Sequence, residues 1–289
     1  MGHQSNAWTL PRNQTNIFRW NPIRSGSALT GTTPEVQNSA WVDKDVSLAP
    51  SCTIGQGARL FGQVTVGEKV RIESNVVVYG PTKVGPGSFI GPNVVLGSPS
   101  RAELTDTVSQ GRNIHDVPGR RQLLIGRNCV VRSGTCIYSD VSIGDDVSFG
   151  HNVMVREKVR IGRNTLIGTG VVIDGSCQIG ERVSIQTGVY ICTNCTIEDS
   201  VFLGPCAVFT NDKYVGQKRT DLVGPTVRRG ASIGANSLLM PSIEIGEGSV
   251  IGAQSLVTHD VPPHSIYVGI PARKLKSVPA DWRTYLLQQ

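Results

Sequence analysis

Aromatic residues are scarce in this chain, 6% of 289 residues, whereas hydrophobic residues of all kinds make up 39%. A core of packed rings is thereby excluded, and the buried interior has to be built from small aliphatic side chains. The length suits one elongated domain or two compact ones. No run of about 18 apolar residues exists, which excludes a membrane-spanning helix. The segment Met1 to Leu10 lacks a basic stretch followed by an apolar one, so no leader is expected and the chain reads as cytoplasmic. Seven cysteines, an odd count without a secretion signal, do not suggest a disulfide framework. Cys192 and Cys195 spell a CxxC, but no second CxxC completes a zinc site, and no metal is expected. Lys and Arg exceed Asp and Glu by 28 to 22, and this mildly basic balance suits anionic ligands.

What the sequence does have is a strict period of six. From Val42 an aliphatic residue recurs at Leu48, Ile54, Leu60, Val66, Ile72, Val78, Val84, Ile90 and Leu96. The register resumes at Ile125 and runs to Phe209, then returns from Val227 to Val257. The next position is often Gly (Gly55, Gly67, Gly85, Gly126, Gly168), and the fifth position of each hexad is small or β-branched (Ala58, Val70, Ser88, Thr135, Ala231). A helix repeats its apolar face at about 3.6 residues and a half-buried strand at about 2, so neither alone accounts for this spacing. A short strand followed by a tight corner does. Three hexads then make one triangular coil, with the aliphatic pointing to the axis and Gly easing the backbone at the crowded corner. About ten coils at ~4.8 Å per stacked strand would form a prism ~50 Å long. Cys52, Cys129, Cys177 and Cys195 all fall on the small fifth position, so their expected role is packing.

The pattern divides the chain into an N-terminal arm or cap (1–41, with Trp8, Phe18, Trp20 and Trp41), the repeat (42–258) and a C-terminal cap and short helical tail (259–289). Two insertions interrupt the repeat, at 98–124 and 210–226. Counting hexads modulo three, both leave from one edge of the prism, five coils apart. Long insertions in a strict repeat are usually functional.

The hexads resemble those of the hexapeptide-repeat transferase family, and that resemblance implies an all-β, left-handed parallel β-helix. From Val183 the runs VSIQTGVYICTNCTIEDSVFLGPCAVFTND, VRRGASIGAN and VIGAQSLVTHDVPPHSIYVGIPARKL are similar to nucleotide-sugar N-acetyltransferases of the UDP-2,3-diaminosugar glucuronate type. The resemblance is close over the last 110 residues or so. It implies a homotrimer with sites between neighbouring prisms, acetyl-CoA as co-substrate, the amine of a nucleotide-linked aminosugar as acceptor, and neither nucleic acid nor membrane as partner.

Acetyl transfer from a thioester needs an aligned acceptor, a donor to the developing oxyanion and a sink for a proton. Histidine suits the last role at neutral pH. His151, at the third position of its hexad and therefore outward at a corner, is the candidate base, with Asn152, Arg156 and Glu157 as candidate substrate ligands. By the resemblance, Asn211 at the start of the second insertion holds the sugar amine or the carbonyl, with Asp212 beside it. His151 and Asn211 fall on different edges about three coils apart, so a shared site requires adjacent subunits. Backbone near Gly230, Ala231, Ala235 and Ala253 is expected to take the pantetheine of CoA, and Arg273 and Lys274 its phosphates. Three readings compete: a sugar O-acyltransferase, a non-catalytic β-helix protein, and a carbonic anhydrase of this fold, for which the histidine ligands are missing.

Overall fold

Every hexad places one side chain on the axis, and that decides the architecture. In the computed structural model the hexads form short parallel strands stacked into three sheets of 13, 11 and 10 strands, the 13 including one antiparallel closing strand. The three sheets are the faces of a left-handed triangular prism. Residues 33–115, 120–282 and 284–287 are described, and all belong to the unit Gly31–Gln289. Trp8, Phe18 and Trp20 of the expected arm lie outside the described residues. Face I begins with Glu35–Val36, face II with Trp41–Val42 and face III with Ser47–Leu48, and the chain visits them in that order. Face II alone holds 11 strands, so the prism is longer than the ten coils expected. The extra coil starts at Val36, six residues before Val42 and in the same register.

Registration is strict: Ile54 pairs with Ile72, Val155 with Ile173 and Ile233 with Ile251. Like side chains therefore stack over one another along the axis. From Ile54 onward the axial residues are buried, and Phe149 and Phe209 are the largest of them. Burying each such side chain contributes about 1.5–3 kcal/mol, so the repeat supplies a continuous core from single residues. Cys52, Cys129, Cys177 and Cys195 are buried free thiols at the corners.

The glycines work differently from the expectation. Gly55 and Gly168, which each follow an axial residue, do not take a positive φ. Instead, a Cβ on Gly168 would stand 2.5 Å from the backbone nitrogen of Thr187 in the next coil. Close stacking of corner backbone, rather than conformational freedom, requires Gly there. The left-handed residue comes two positions later, where Asn75, Asn128, Asn152 and Asn164 have φ between 53° and 58°. Asn tolerates that region best after Gly. These corner glycines occur on edges I/II and III/I, as at Gly168 and Gly144, whereas edge II/III carries Tyr79, Tyr138, Arg156, Asp174, Cys192 and Thr210 in the same position.

Three elements differ from the sequence expectation. The first insertion is not a plain loop: it carries the α-helix Arg101–Ser109, started by a capping box between Ser100 and Glu103. Glu103 also pairs with the buried Arg120 at 3.3 Å, and Arg120 donates to Ile114 O, which ties the insertion together, while the Ser139 hydroxyl of the prism donates to Glu103 at 3.1 Å. Ring stacking of His115 on Phe61 at 4.7 Å completes the attachment. The tail is only in small part helical, a single 3-10 turn at Tyr285–Leu287. Arg273 and Lys274 lie on neither a helix nor a loose tail but on the strand Arg273–Ser277, which turns back antiparallel on Ser265–Val268 and closes face I. That pairing covers the edge which the last coil would otherwise leave open.

Candidate functional site

The predicted site residues separate onto the two edges that bound face II. His151 follows Phe149 and sits exposed on edge I/II. Its Nδ1 lies 2.7 Å from the Ser133 hydroxyl one coil earlier, and its backbone N–H donates to Thr169 Oγ1 at 3.3 Å one coil later. Ser133, His151, Thr169, Thr187, Pro205, Ala235 and Ala253 occupy the same place in successive coils and form one column. Beyond His151 that column is made of small side chains. It ends beside Gly252, whose missing Cβ leaves room for Val268, and Val268 pairs with Arg273 on the closing strand. Arg273 and Lys274 are exposed and form no ion pair among the described residues. Five stacked steps separate His151 from Ala253, about 24 Å at ~4.8 Å per step.

Gly230 and Ala231 are on the other side of face I, on edge III/I, and do not share this column. Gly230 instead lies under the C-terminal turn, within van der Waals reach of Leu287. Asn152 has φ 53° and stacks its side-chain oxygen over Gly134, so its conformation is that of a corner residue.

Edge II/III holds the remaining candidates. Both insertions leave from it, after Leu96 and Phe209, five strands apart in face II, as the register predicts. Asn211 donates from Nδ2 to Thr193 O at 3.2 Å, and its own carbonyl accepts from Val223 N. Asn194 closes the same insertion by donating to Leu222 O at 2.7 Å. The Asp212 carboxylate accepts from Tyr214 N and Gly216 N, which shapes the turn that follows. Below the insertion, Arg156 pairs with Glu157 at 3.0 Å and approaches Asp174 at 3.7 Å. The Tyr190 hydroxyl donates to Asp174 Oδ2 at 2.6 Å, and the Arg156 guanidinium lies 5.9 Å from the Tyr138 ring centre. Donation to the Asp174 carboxylate holds the Tyr190 phenol well above its ordinary value. The two carboxylates of this cluster raise Arg156 in spite of its partial burial.

In one prism, then, His151 and Asn211 are on different edges and three strands apart, with Arg156 and Glu157 at the height of His151 but on the edge of Asn211. Sequence reasoning missed Ser133, Asp174 and Tyr190. Ser133 could have been found, since it stands 18 residues before His151, one full coil.

The faces also differ in what they show to the outside. Face II presents Val77, Val95, Cys136, Met154, Val172, Tyr190, Val208, Leu238 and Leu256 on successive strands. On face III the same positions are Ser142, Arg160, Gln178, Thr196, Thr226 and Glu244. From Val77 onward face II is thus a continuous apolar stripe, whereas face III is polar beyond Leu124.

Comparison with known proteins agrees with this architecture. The model described as bacterial transferase hexapeptide (six repeats) matches residues 63–98, 140–175 and 176–211, and that described as hexapeptide repeat of succinyl-transferase matches 158–193 and 229–259. The chain is 46% identical to chloramphenicol acetyltransferase of Morganella morganii over 57 residues, 20% of this chain and 27% of that protein. It is 39% identical to serine acetyltransferase of Escherichia coli (strain K12) over 82 residues, 25% of this chain and 30% of that one. It therefore spans between a quarter and a third of the length of these curated relatives. Among solved structures, PerB from Caulobacter crescentus, in complex with CoA and GDP-perosamine, is 18% identical with a TM-score of 0.37, covering 63% of this chain and 70% of its own. The UDP-N-acetylglucosamine acyltransferase of Francisella novicida is 18% identical with a TM-score of 0.46, covering 83% and 69%. With a six-residue register, a left-handed three-faced prism and repeat models matched over 63–98, 140–211 and 229–259, the chain carries the bacterial transferase hexapeptide repeat in a left-handed β-helix.

Proposed function

We propose that this protein is an acetyl-CoA-dependent N-acetyltransferase of nucleotide-linked aminosugars, active as a homotrimer with three sites between subunits. The observation that carries the reading is the division of the candidate residues between the two edges of one apolar face. In a cyclic trimer with face II turned to the axis, edge I/II of each prism meets edge II/III of its neighbour, because ring contacts are heterologous. The His151 column of one copy then borders the insertions and polar cluster of the next. The family resemblance supports the same assembly.

On this reading CoA lies along the small-residue column of edge I/II. Its thioester is near His151, and its phosphates meet Arg273 and Lys274, whose unpaired charges suit them. Small side chains at Thr169, Thr187, Ala235 and Ala253 leave backbone groups accessible to pantetheine. Gly230 and Ala231, on edge III/I, have no part in this path.

The chemistry follows from the geometry. A Ser133 hydroxyl accepting from Nδ1–H leaves the lone pair of His151 on Nε2, the outward nitrogen. The acceptor enters as an ammonium and loses one proton to solvent. Its nitrogen forms a bond to the thioester carbonyl carbon while His151 takes the second proton. The C–S bond then breaks, and the thiolate recovers that proton from His151, giving amide and free CoA thiol. Backbone N–H groups at the corners supply donors to the transient oxyanion. Asn211 and Asp212 act by shaping the insertion that covers the acceptor.

The test is a panel of UDP- and dTDP-linked aminosugars with acetyl-CoA, following release of free thiol. Thiol release that depends on an aminosugar supports the reading. Saturable acetyl-CoA binding without transfer to any member rejects the acceptor class, and absence of acetyl-CoA binding rejects the enzyme.

A further inference from the structure

The cluster on edge II/III has a charge arrangement that selects among acceptors. We infer that Asp174, held by Tyr190, is the residue that receives the acceptor's amino group, so that the site accepts an amine in preference to a hydroxyl. This deepens the acetyl-transfer reading and rests on it.

Three observations lead there. The first is charge: Glu157 and Asp174 share the single guanidinium of Arg156, which leaves one negative charge in excess on a chain of formal charge +6. The second is bonding. Arg156 is within hydrogen-bond distance of Glu157 at 3.0 Å but stands 3.7 Å from Asp174 Oδ1, while Tyr190 satisfies only Asp174 Oδ2. The Asp174 side chain is 18% exposed, so a carboxylate oxygen without a close donor is mostly withdrawn from water. Such an oxygen favours a charged N–H donor, and a charge-assisted bond is about twice as strong as a neutral one. A hydroxyl acceptor would replace only a neutral bond. The contrast is Arg228, which bonds closely to Glu198 and to Glu244 and leaves neither carboxylate in need.

Position is the third. Asp174 is two strands below Thr210, where the second insertion starts, about 10 Å at ~4.8 Å per step. It follows the strand Val172–Ile173, which stacks directly on Met154–Val155, the strand that His151 leads into. In the trimer packed on face II, Asp174 of one copy is therefore one strand, about 5 Å, above His151 of its neighbour, whereas Asn211 is three strands above it.

The experiment uses the full-length protein and the best acceptor of the aminosugar panel, with its hydroxyl counterpart beside it. Asp174→Asn keeps the shape and removes the charge; Tyr190→Phe keeps the ring and frees the carboxylate. The expected result is a KM for the aminosugar raised tenfold or more in Asp174→Asn and severalfold in Tyr190→Phe. The KM for acetyl-CoA and the trimer, read by light scattering, should stay as in the wild type. Transfer to the hydroxyl counterpart should be at least a hundredfold poorer in the wild type, and Asp174→Asn should narrow that gap. An unchanged aminosugar KM in both trimeric variants overturns the assignment while leaving acetyl transfer standing. Equal use of amine and hydroxyl by the wild type overturns it too. A wild type that binds no acetyl-CoA in calorimetry overturns the underlying reading, and this inference with it.

Discussion

His151 Nδ1 is 2.7 Å from the hydroxyl of Ser133, which stands directly before it on edge I/II of the prism. The contact engages Nδ1 and leaves Nε2 as the nitrogen that would act when Nδ1–H donates to Ser133. His151→Ala should reduce turnover by about 10² to 10⁴, the usual span for a general base. Ser133→Ala should cost less, since the ring remains but loses its orientation. The assay is kcat across pH: a limb present in the wild type and missing in His151→Ala identifies the base, and retention of more than half the wild-type turnover in that variant rejects it.

Arg273 and Lys274 carry exposed charges on the strand that closes face I. Replacing both by Ala should raise the KM for acetyl-CoA far more than it lowers kcat, because phosphate contacts bind ground state and transition state alike. Steady-state kinetics with acetyl-CoA varied decides this. An unchanged KM puts the donor elsewhere on the prism.

Face II has an unbroken apolar stripe, and a charge set in its middle should oppose assembly. Met154→Glu and Val172→Glu each leave the axial residues Val155 and Ile173 untouched. Both variants should therefore remain folded by circular dichroism while sedimenting as smaller species and losing activity. Trimers of wild-type size in both would mean that another face makes the contact.

Acid should weaken the fold through its corner carboxylates. Backbone N–H and side-chain bonds from Arg127 hold Asp145 below the ordinary carboxylate range, and bonds from Arg228 do the same for Glu244. A depressed folded-state value contributes stability that is complete above the unfolded value and disappears as pH falls through the folded one. Asp145→Asn and Glu244→Gln should each lower the melting temperature by a few degrees at neutral pH. Thermal scans should show that gap closing as pH drops through and below the carboxylate range; a gap that persists in acid would assign the loss to packing.

Tight corners predict a further effect on stability alone. Gly168→Ala adds a Cβ that would stand 2.5 Å from Thr187 N, so the corner has to open. A loss of about 1–3 kcal/mol in denaturant unfolding is expected, the common cost of overpacking.

The hexad register made most of this molecule legible before any coordinates. Val42, Ile54 and their successors are on the axis because six residues is one strand and one corner, whatever else the chain carries. The shared edge of the two insertions and the three-strand offset between His151 and Asn211 follow from the same count. Some missed features were also written locally: Ser100 and Glu103 spell a capping box, and Val36 continues the register backwards. The sequence by itself thus determined the three-faced prism, the axial core, the corner cysteines and the edge on which each candidate residue stands, since all of these depend on periodicity; its left hand followed from the family resemblance. Only the tertiary structure decided that Ser133 touches His151, that Tyr190 bonds to Asp174, that Arg273 returns to pair with Val268, and that Gly230 lies apart from Ala235 and Ala253. These relations join residues one or more coils apart, or pass through an antiparallel turn outside the register. They depend on which side chains stacking brings together, and no local spacing records that.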